Sequence, residues 1–256
     1  MICAERDDVR MRYLLFLLHA ALMTPISSFA AHCDRVELRG IEATVCTIDT
    51  RRDRVQVFLR DESGTPFKFF SALQRHLNRK QQELLVAMNA GMYHENYEPV
   101  GLLVAGGHEL APLNLQTAPG NFFLKPNGVF AITRAGPRIV ESSRYSSLAD
   151  VELATQSGPM LVIDGALHPS FRKDSTSKYV RNGVGVLDEH RVLFVISEQP
   201  VTFYEFATLF RDGLGCKDAL YLDGGVSSLY SAALKRSDVR AALGPILAVV
   251  GDRPDE

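Results

Sequence analysis

The sequence predicts an α+β fold, a mixed and hairpin-rich central sheet with a few flanking helices in a single domain. Three observations carry that expectation. Short apolar runs of strand length recur along the chain, Gly-, Asn- and Asp-containing turns separate them, and only two stretches, Phe69 to Lys80 and Val201 to about Asp212, have helical spacing. A length of 256 residues with 46% hydrophobic content suits one large domain.

Residues 1–30 read as a secretory signal, leaving 31–256 as the folded domain. Tyr13 to Met23 is apolar, Arg10 and Arg12 precede it, and Ser28 and Ala30 provide small residues for cleavage. Met11 is a candidate start, since Glu5, Asp7 and Asp8 are unusual ahead of a signal core; a buried first helix is the competing reading. His32 before Cys33 does not suit a lipid anchor, so no stable membrane insertion is expected after cleavage. The expected location is periplasmic or secreted. Cys3 leaves with the signal, Cys33 and Cys46 can pair in an oxidising compartment, and Cys216 remains as a buried thiol. The cysteine spacing suits no zinc site, and neither a metal nor a cofactor is expected. A net charge of -2 argues against nucleic acid as a partner. Oligomeric state is not legible in the sequence.

The elements follow in order. Ala43 to Asp49 and Val55 to Leu59 read as strands, and Asp61-Glu62-Ser63-Gly64 as a turn before the first helix. Leu84 to Met88 is an apolar run of central-strand type. Hairpins are expected where Val100 to Ala105 meets Gly106-Gly107, and where Asn121 to Leu124 meets Lys125-Pro126-Asn127-Gly128 before Val129 to Ile132. Leu161 to Ile163 ends at Asp164-Gly165, and Asp188-Glu189-His190 separates two further strands. In the second helix Thr202 and Glu205 form a capping box, and Phe203, Phe206, Ala207 and Phe210 make a core stripe.

Four strand ends are polar or glycine-rich. Asn89-Ala90-Gly91 closes an apolar strand, where Asn89 bonds either the adjacent backbone or a ligand. His94 and Glu95 follow, as an acid/base pair or as solvated loop residues. Gln156-Ser157-Gly158-Pro159 leads into Met160. Arg181-Asn182-Gly183-Val184-Gly185 puts a guanidinium in an apolar strand, where it needs a carboxylate or a ligand phosphate. Asp223-Gly224-Gly225-Val226-Ser227-Ser228 is a tight turn or a ligand loop. Lys125 and Lys178 are lesser candidates. As a set, these groups suit a sugar phosphate. No Gly-x-Gly-x-x-Gly or Gly-x-Ser-x-Gly appears, which disfavours dinucleotide and α/β-hydrolase sites.

In order and spacing, these four segments resemble the phosphodiester glycosidase family, over roughly Val45 to Val250. The chain has Ala90 where the family usually has a second glycine, and Val226 where it often has a third. The resemblance implies an exported hydrolase that cleaves a sugar-1-phosphodiester in envelope or extracellular glycan metabolism, linked to exopolysaccharide in bacterial members. It assigns Arg181 to phosphate, and Asp223 to base, nucleophile or charge stabilisation, with Glu95 as a second carboxylate. It assigns Gly224, Gly225, Ser227 and Ser228 to phosphate or sugar oxygens. Asn89, Gly91, Gln156, Ser157, Gly158 and Asn182 line the sugar site on the same basis. Two other readings use the same cleft: an exported carbohydrate-binding protein without turnover, and a sugar-phosphate transferase.

Overall fold

A computed structural model describes residues 31–253, so the signal expected at 1–30, with Cys3, lies outside the described residues. Strands β1 (His32–Leu38), β2 (Ile41–Asp49) and β3 (Arg54–Phe58) precede helix α1 (Phe70–Arg79). Next come β4 (Gln82–Asn89), β5 (Leu103–Ala105), β6 (His108–Ala111), β7 (Gly128–Thr133) and β8 (Gly136–Glu141). They are followed by β9 (Val151–Ser157), β10 (Met160–Ile163), β11 (Ala166–Leu167), β12 (Asn182–Val186) and β13 (Arg191–Ser197). After helix α2 (Phe203–Thr208) come β14 (Asp218–Tyr221), β15 (Leu229–Ser231), β16 (Arg236–Ser237) and β17 (Ile246–Asp252).

The strands form three sheets, ordered β1-β2-β13-β12-β14-β10-β11, β16-β15-β4-β17-β3 and β6-β5-β9-β7-β8. Every ladder between these strands is antiparallel. That corrects the single mixed sheet expected above, and the α+β fold is dominated by its strands. Tight turns join antiparallel neighbours, whereas a parallel neighbour needs a crossover of about a dozen residues or more. The sheets share one core: Phe194 and Leu220 meet Met88 and Leu247 of the second sheet and Phe130 and Leu153 of the third.

Both helices lie where their spacing predicts. In α1, Phe70, Leu73 and Leu77 fall on one face and pack with Leu84 and Ile246. At α2 the capping box forms: the Thr202 hydroxyl accepts from the Glu205 N–H at 3.1 Å, and the Glu205 carboxylate accepts from the Thr202 N–H at 2.7 Å. Such a cap stabilises a helix by about 1 kcal/mol. Phe206, Ala207 and Phe210 are core residues, but Phe203 is only half-buried.

Asp164-Gly165 and Asp188-Glu189-His190 connect antiparallel strands as expected, the first pair with φ of 47° and 81°. The Asn127-Gly128 hairpin does not form. Asn121–Phe123 is a single 3-10 turn, and Gly128 opens β7, paired with Glu141 and Ser157. The Asn127 amide instead donates to the Phe122 carbonyl at 2.8 Å, and a Cβ on Gly128 would lie 2.8 Å from Met160 Cγ. Packing, not a turn, requires that glycine. Cys33 and Cys46 face each other across β1 and β2 and are disulfide-bonded, while Cys216 is free and buried.

Candidate active site

The four polar strand ends come together where the sheets meet. Asn182 Nδ2 donates to the Asn89 carbonyl at 3.1 Å, and Asn89 Nδ2 donates to the Asp223 carbonyl at 2.7 Å. Asn89 Oδ1 accepts from the Ser228 N–H at 2.9 Å, Asn182 Oδ1 accepts from the Ser227 hydroxyl at 3.0 Å, and the Asp223 N–H donates to the Ala90 carbonyl at 3.1 Å. Asn89, Asn182, Ser227 and Ser228 are buried. The Asp223 segment therefore crosses from β14 in one sheet to β15 in another, with a 3-10 turn at Gly224–Val226. It is not a hairpin turn.

The second strand end locks onto the first. The Gly91 N–H donates to Thr155 Oγ1 at 3.1 Å, and a Cβ on Gly91 would lie 2.2 Å from the Gln156 carbonyl oxygen. Only glycine permits so close a backbone approach. Gln156 uses its whole amide within the protein. Its Oε1 accepts from the N–H groups of Leu102 at 3.0 Å and Asn114 at 2.9 Å, and its Nε2 donates to the Asn114 carbonyl at 2.7 Å and Ser142 Oγ at 3.0 Å. Gly158 is as confined, since an added Cβ would stand 2.6 Å from the Phe122 carbonyl. The Ser157 hydroxyl is buried without a hydrogen-bond partner among the described residues.

Arg181 is the decisive group. It is only 1% exposed, and no carboxylate among the described residues lies within ion-pair distance of it. Its Nε donates to the Val201 carbonyl at 2.8 Å, and a terminal nitrogen donates to the Ser177 carbonyl at 3.1 Å. The guanidinium stacks 3.7 Å from the Phe203 ring centroid, with Tyr221 at 5.5 Å. Burial pulls its pKa down, yet an arginine stays protonated at neutral pH. With Asn121, Ser177, Tyr179, Phe203, Tyr221, Gly224 and Gly225, it lines a cavity of about 160 Å³. Larger hollows of about 230, 320, 370 and 310 Å³ contain none of the four strand ends.

Asp223 is half-buried beside this cavity. Burial raises its pKa, partly offset by the Gly225 N–H, which donates to Oδ1 at 3.2 Å. Tyr221 is buried and its pKa is raised, chiefly by burial; it feels the Asp223 charge and, in the opposite sense, that of Arg181. Burial also lifts Tyr93 to about 12, with Asp223 adding to the effect. A Cβ on Gly224 would fall 1.7 Å from the Tyr221 hydroxyl oxygen, so this glycine is what lets the loop close over the tyrosine.

Residues 82–249 match the family model described as phosphodiester glycosidase. The chain belongs to the phosphodiester glycosidase family. It is 33% identical over 210 residues to the uncharacterized protein YigE of Escherichia coli (strain K12), covering 81% of this chain and 82% of that one. Its fold is similar to the zebrafish N-acetylglucosamine-1-phosphodiester alpha-N-acetylglucosaminidase catalytic domain auto-inhibited by its pro-peptide. That match has a TM-score of 0.59 at 12% identity and covers 86% of this chain and 81% of that one. A hypothetical protein from Synechocystis aligns with a TM-score of 0.53 at 14% identity, over 86% of this chain and 61% of that one.

The two residues that replace glycines of the phosphodiester glycosidase pattern do not line the cavity. Ala90 packs in the shared core and Val226 against the α1 cluster, and neither lines the cavity. Glu95 is exposed on the loop closed by the His94 N–H to Glu98 carbonyl bond, and it too is absent from the cavity wall. Lys125 Nζ donates to the Leu115 carbonyl at 2.8 Å, and Lys178 pairs with Glu205 at 3.1 Å. The amides of Asn89, Asn182 and Gln156 and the hydroxyls of Ser227 and Ser228 serve the protein framework here. Sequence reasoning missed Tyr221, Phe203 and Tyr179. Phe203 could have been suspected as the first helical residue after the cap, at the rim of the core stripe. No group of His, Cys, Asp or Glu among the described residues is placed to hold a metal, and no helix among them is long and apolar enough to cross a membrane.

Proposed function

We propose that this protein is an exported hydrolase that cleaves a sugar-1-phosphodiester in envelope or extracellular glycan metabolism. One observation carries the reading: a buried guanidinium that stacks on an aromatic ring, pairs with no carboxylate among the described residues and faces a cavity. A buried cation without a counter-ion is costly, and a phosphate is the anion whose geometry suits a guanidinium fork. Family membership supports a phosphodiester as the substrate class. The Cys33–Cys46 bond supports an oxidising compartment, periplasmic or external.

Arg181 binds the phosphoryl oxygens and stabilises the charge that builds on them as the anomeric bond breaks. Phosphate is a good leaving group, so little general-acid help is needed. Asp223, beside the cavity, stabilises the oxocarbenium-like carbon or activates its attacker. Asn89 and Asn182 hold the Asp223 loop to both sheets, and so act by positioning it.

The test is to incubate purified protein with a panel of sugar-1-phosphodiesters and assay free sugar with and without an added acceptor. Release without acceptor, lost in Asp223→Asn, is expected. Binding without release would instead indicate a carbohydrate-binding protein, and product only with acceptor a transferase.

A further inference from the structure

Tyr179 is 61% exposed, although it belongs to the wall of the same cavity as the buried Arg181. Single exposed aromatics are ordinary on protein surfaces. This one stands on a backbone bonded in both directions. Its N–H donates to the Val201 carbonyl at 3.1 Å, and its carbonyl accepts from the Val201 N–H at 2.8 Å. Arg181 fastens the same strap by donating to the Ser177 and Val201 carbonyls, and Lys178 ties it to α2 through Glu205. Arg181 Cζ lies 5.5 Å from the Tyr179 ring centroid. The ring is thus an aromatic surface on a tethered backbone, beside an anion site and open to water.

The geometry points to Tyr179 as the platform that receives the sugar ring of the substrate, with Asn121 supplying an amide to the sugar hydroxyls. This rests on the phosphate reading of Arg181. A pyranose joined to a phosphate on Arg181 begins one bridging oxygen from the phosphorus, on the side where the cavity opens. Its C–H face is apolar and its rim is polar. It therefore suits an aromatic face flanked by an amide that makes no hydrogen bond among the described residues, as is the case for Asn121. Because the strap is fixed by backbone bonds, the contact has to order one side chain and not a loop. Tyr179 is then a specificity-determining residue, acting on the sugar and not on the phosphate.

The test compares wild type, Tyr179→Ala and Tyr179→Phe by calorimetric titration with inorganic phosphate, glucose 1-phosphate, N-acetylglucosamine 1-phosphate and uridine 5′-monophosphate. Wild type should bind at least one sugar phosphate more tightly than inorganic phosphate. Tyr179→Ala should weaken that sugar phosphate by about tenfold, a loss typical of one aromatic stacking contact. It should leave inorganic phosphate within about twofold, and Tyr179→Phe should restore the sugar phosphate. Equal weakening of phosphate and sugar phosphate overturns the assignment, as does no weakening, a wild-type protein with no preference for the sugar phosphates, or an effect confined to the nucleotide. A wild-type protein that binds none of the four ligands defeats the phosphate reading itself, and the platform with it.

Discussion

The Arg181 guanidinium lies 3.7 Å from the centroid of the Phe203 ring, and this stack stands where a buried cation ordinarily has a carboxylate. An aromatic face attracts the cation without neutralising it. The site therefore keeps a full positive charge available to an anion, and Asp223, the nearby carboxylate, is bonded to Gly225 and not to Arg181.

That arrangement separates stability from function at Arg181. In Arg181→Met a buried, unneutralised charge disappears and a side chain of similar reach remains. The Val201 and Ser177 carbonyls lose their donors, at about 1–3 kcal/mol for an unpaired group. These opposing effects should leave stability within about 2 kcal/mol of wild type by urea denaturation. Sugar release from a phosphodiester should fall by about 100-fold or more. Retained turnover would remove Arg181 from the phosphate site.

At Asp223 the sign of the pH dependence is fixed by burial. The folded protein holds the carboxyl proton more tightly than the unfolded chain, because burial raises the pKa above 3.8. Wild-type stability is then reduced at neutral pH and recovers as pH falls through the raised pKa. Asp223→Asn should melt higher than wild type at pH 7, and the advantage should vanish in acid. Turnover should drop by about 100- to 1000-fold. Melting curves across pH for both proteins, with a turnover assay at pH 7, check the pair.

Local signals in the sequence were dependable where the partner was also local. Thr202 and Glu205 are three positions apart and cap α2, and Asp164-Gly165 turns the chain by its own backbone preference. Asn127-Gly128 carried the same kind of signal and failed, because the Asn127 amide is taken by Phe122 and Gly128 is confined by Met160. The chemistry shows the same division. The need of Arg181 for a partner was legible, but its stack on Phe203 depends on how α2 docks beside β12. Asn89 and Gln156 looked like ligand groups only because sequence does not reveal which backbone lies opposite an amide.

The two loop glycines should respond differently to alanine. At Gly224 the new methyl would sit 1.7 Å from the Tyr221 hydroxyl oxygen and 2.5 Å from its ring, so the loop or the buried tyrosine must move. At Gly225 the nearest atom is Asp223 Oδ1 at 3.3 Å. Gly224→Ala should cost about 1–3 kcal/mol, as overpacking does, and should impair turnover strongly. Gly225→Ala should cost less than about 1 kcal/mol. Equal effects of the two substitutions in thermal denaturation would contradict the close contact with Tyr221.

The cysteines offer a separate check on the fold. Burial pushes the Cys216 thiol up to about 12, so hardly any thiolate exists at neutral pH and the side chain is also inaccessible. The Cys33–Cys46 bond closes a loop with a sequence separation of 13, for which chain entropy gives about 3 kcal/mol of stabilisation. Protein lacking the first thirty residues should show no thiol reactive to a colorimetric disulfide reagent while folded, and one thiol per chain after denaturation without reductant. Replacing Cys33 and Cys46 together by serine should lower stability by about 2–4 kcal/mol. That double variant should still conceal Cys216 in its native state, because Cys216 is buried in the cluster with Phe206 and Phe210, against Gly185, and not by the disulfide. A fast-reacting thiol in the folded wild type would mean that Cys216 is not buried in that cluster.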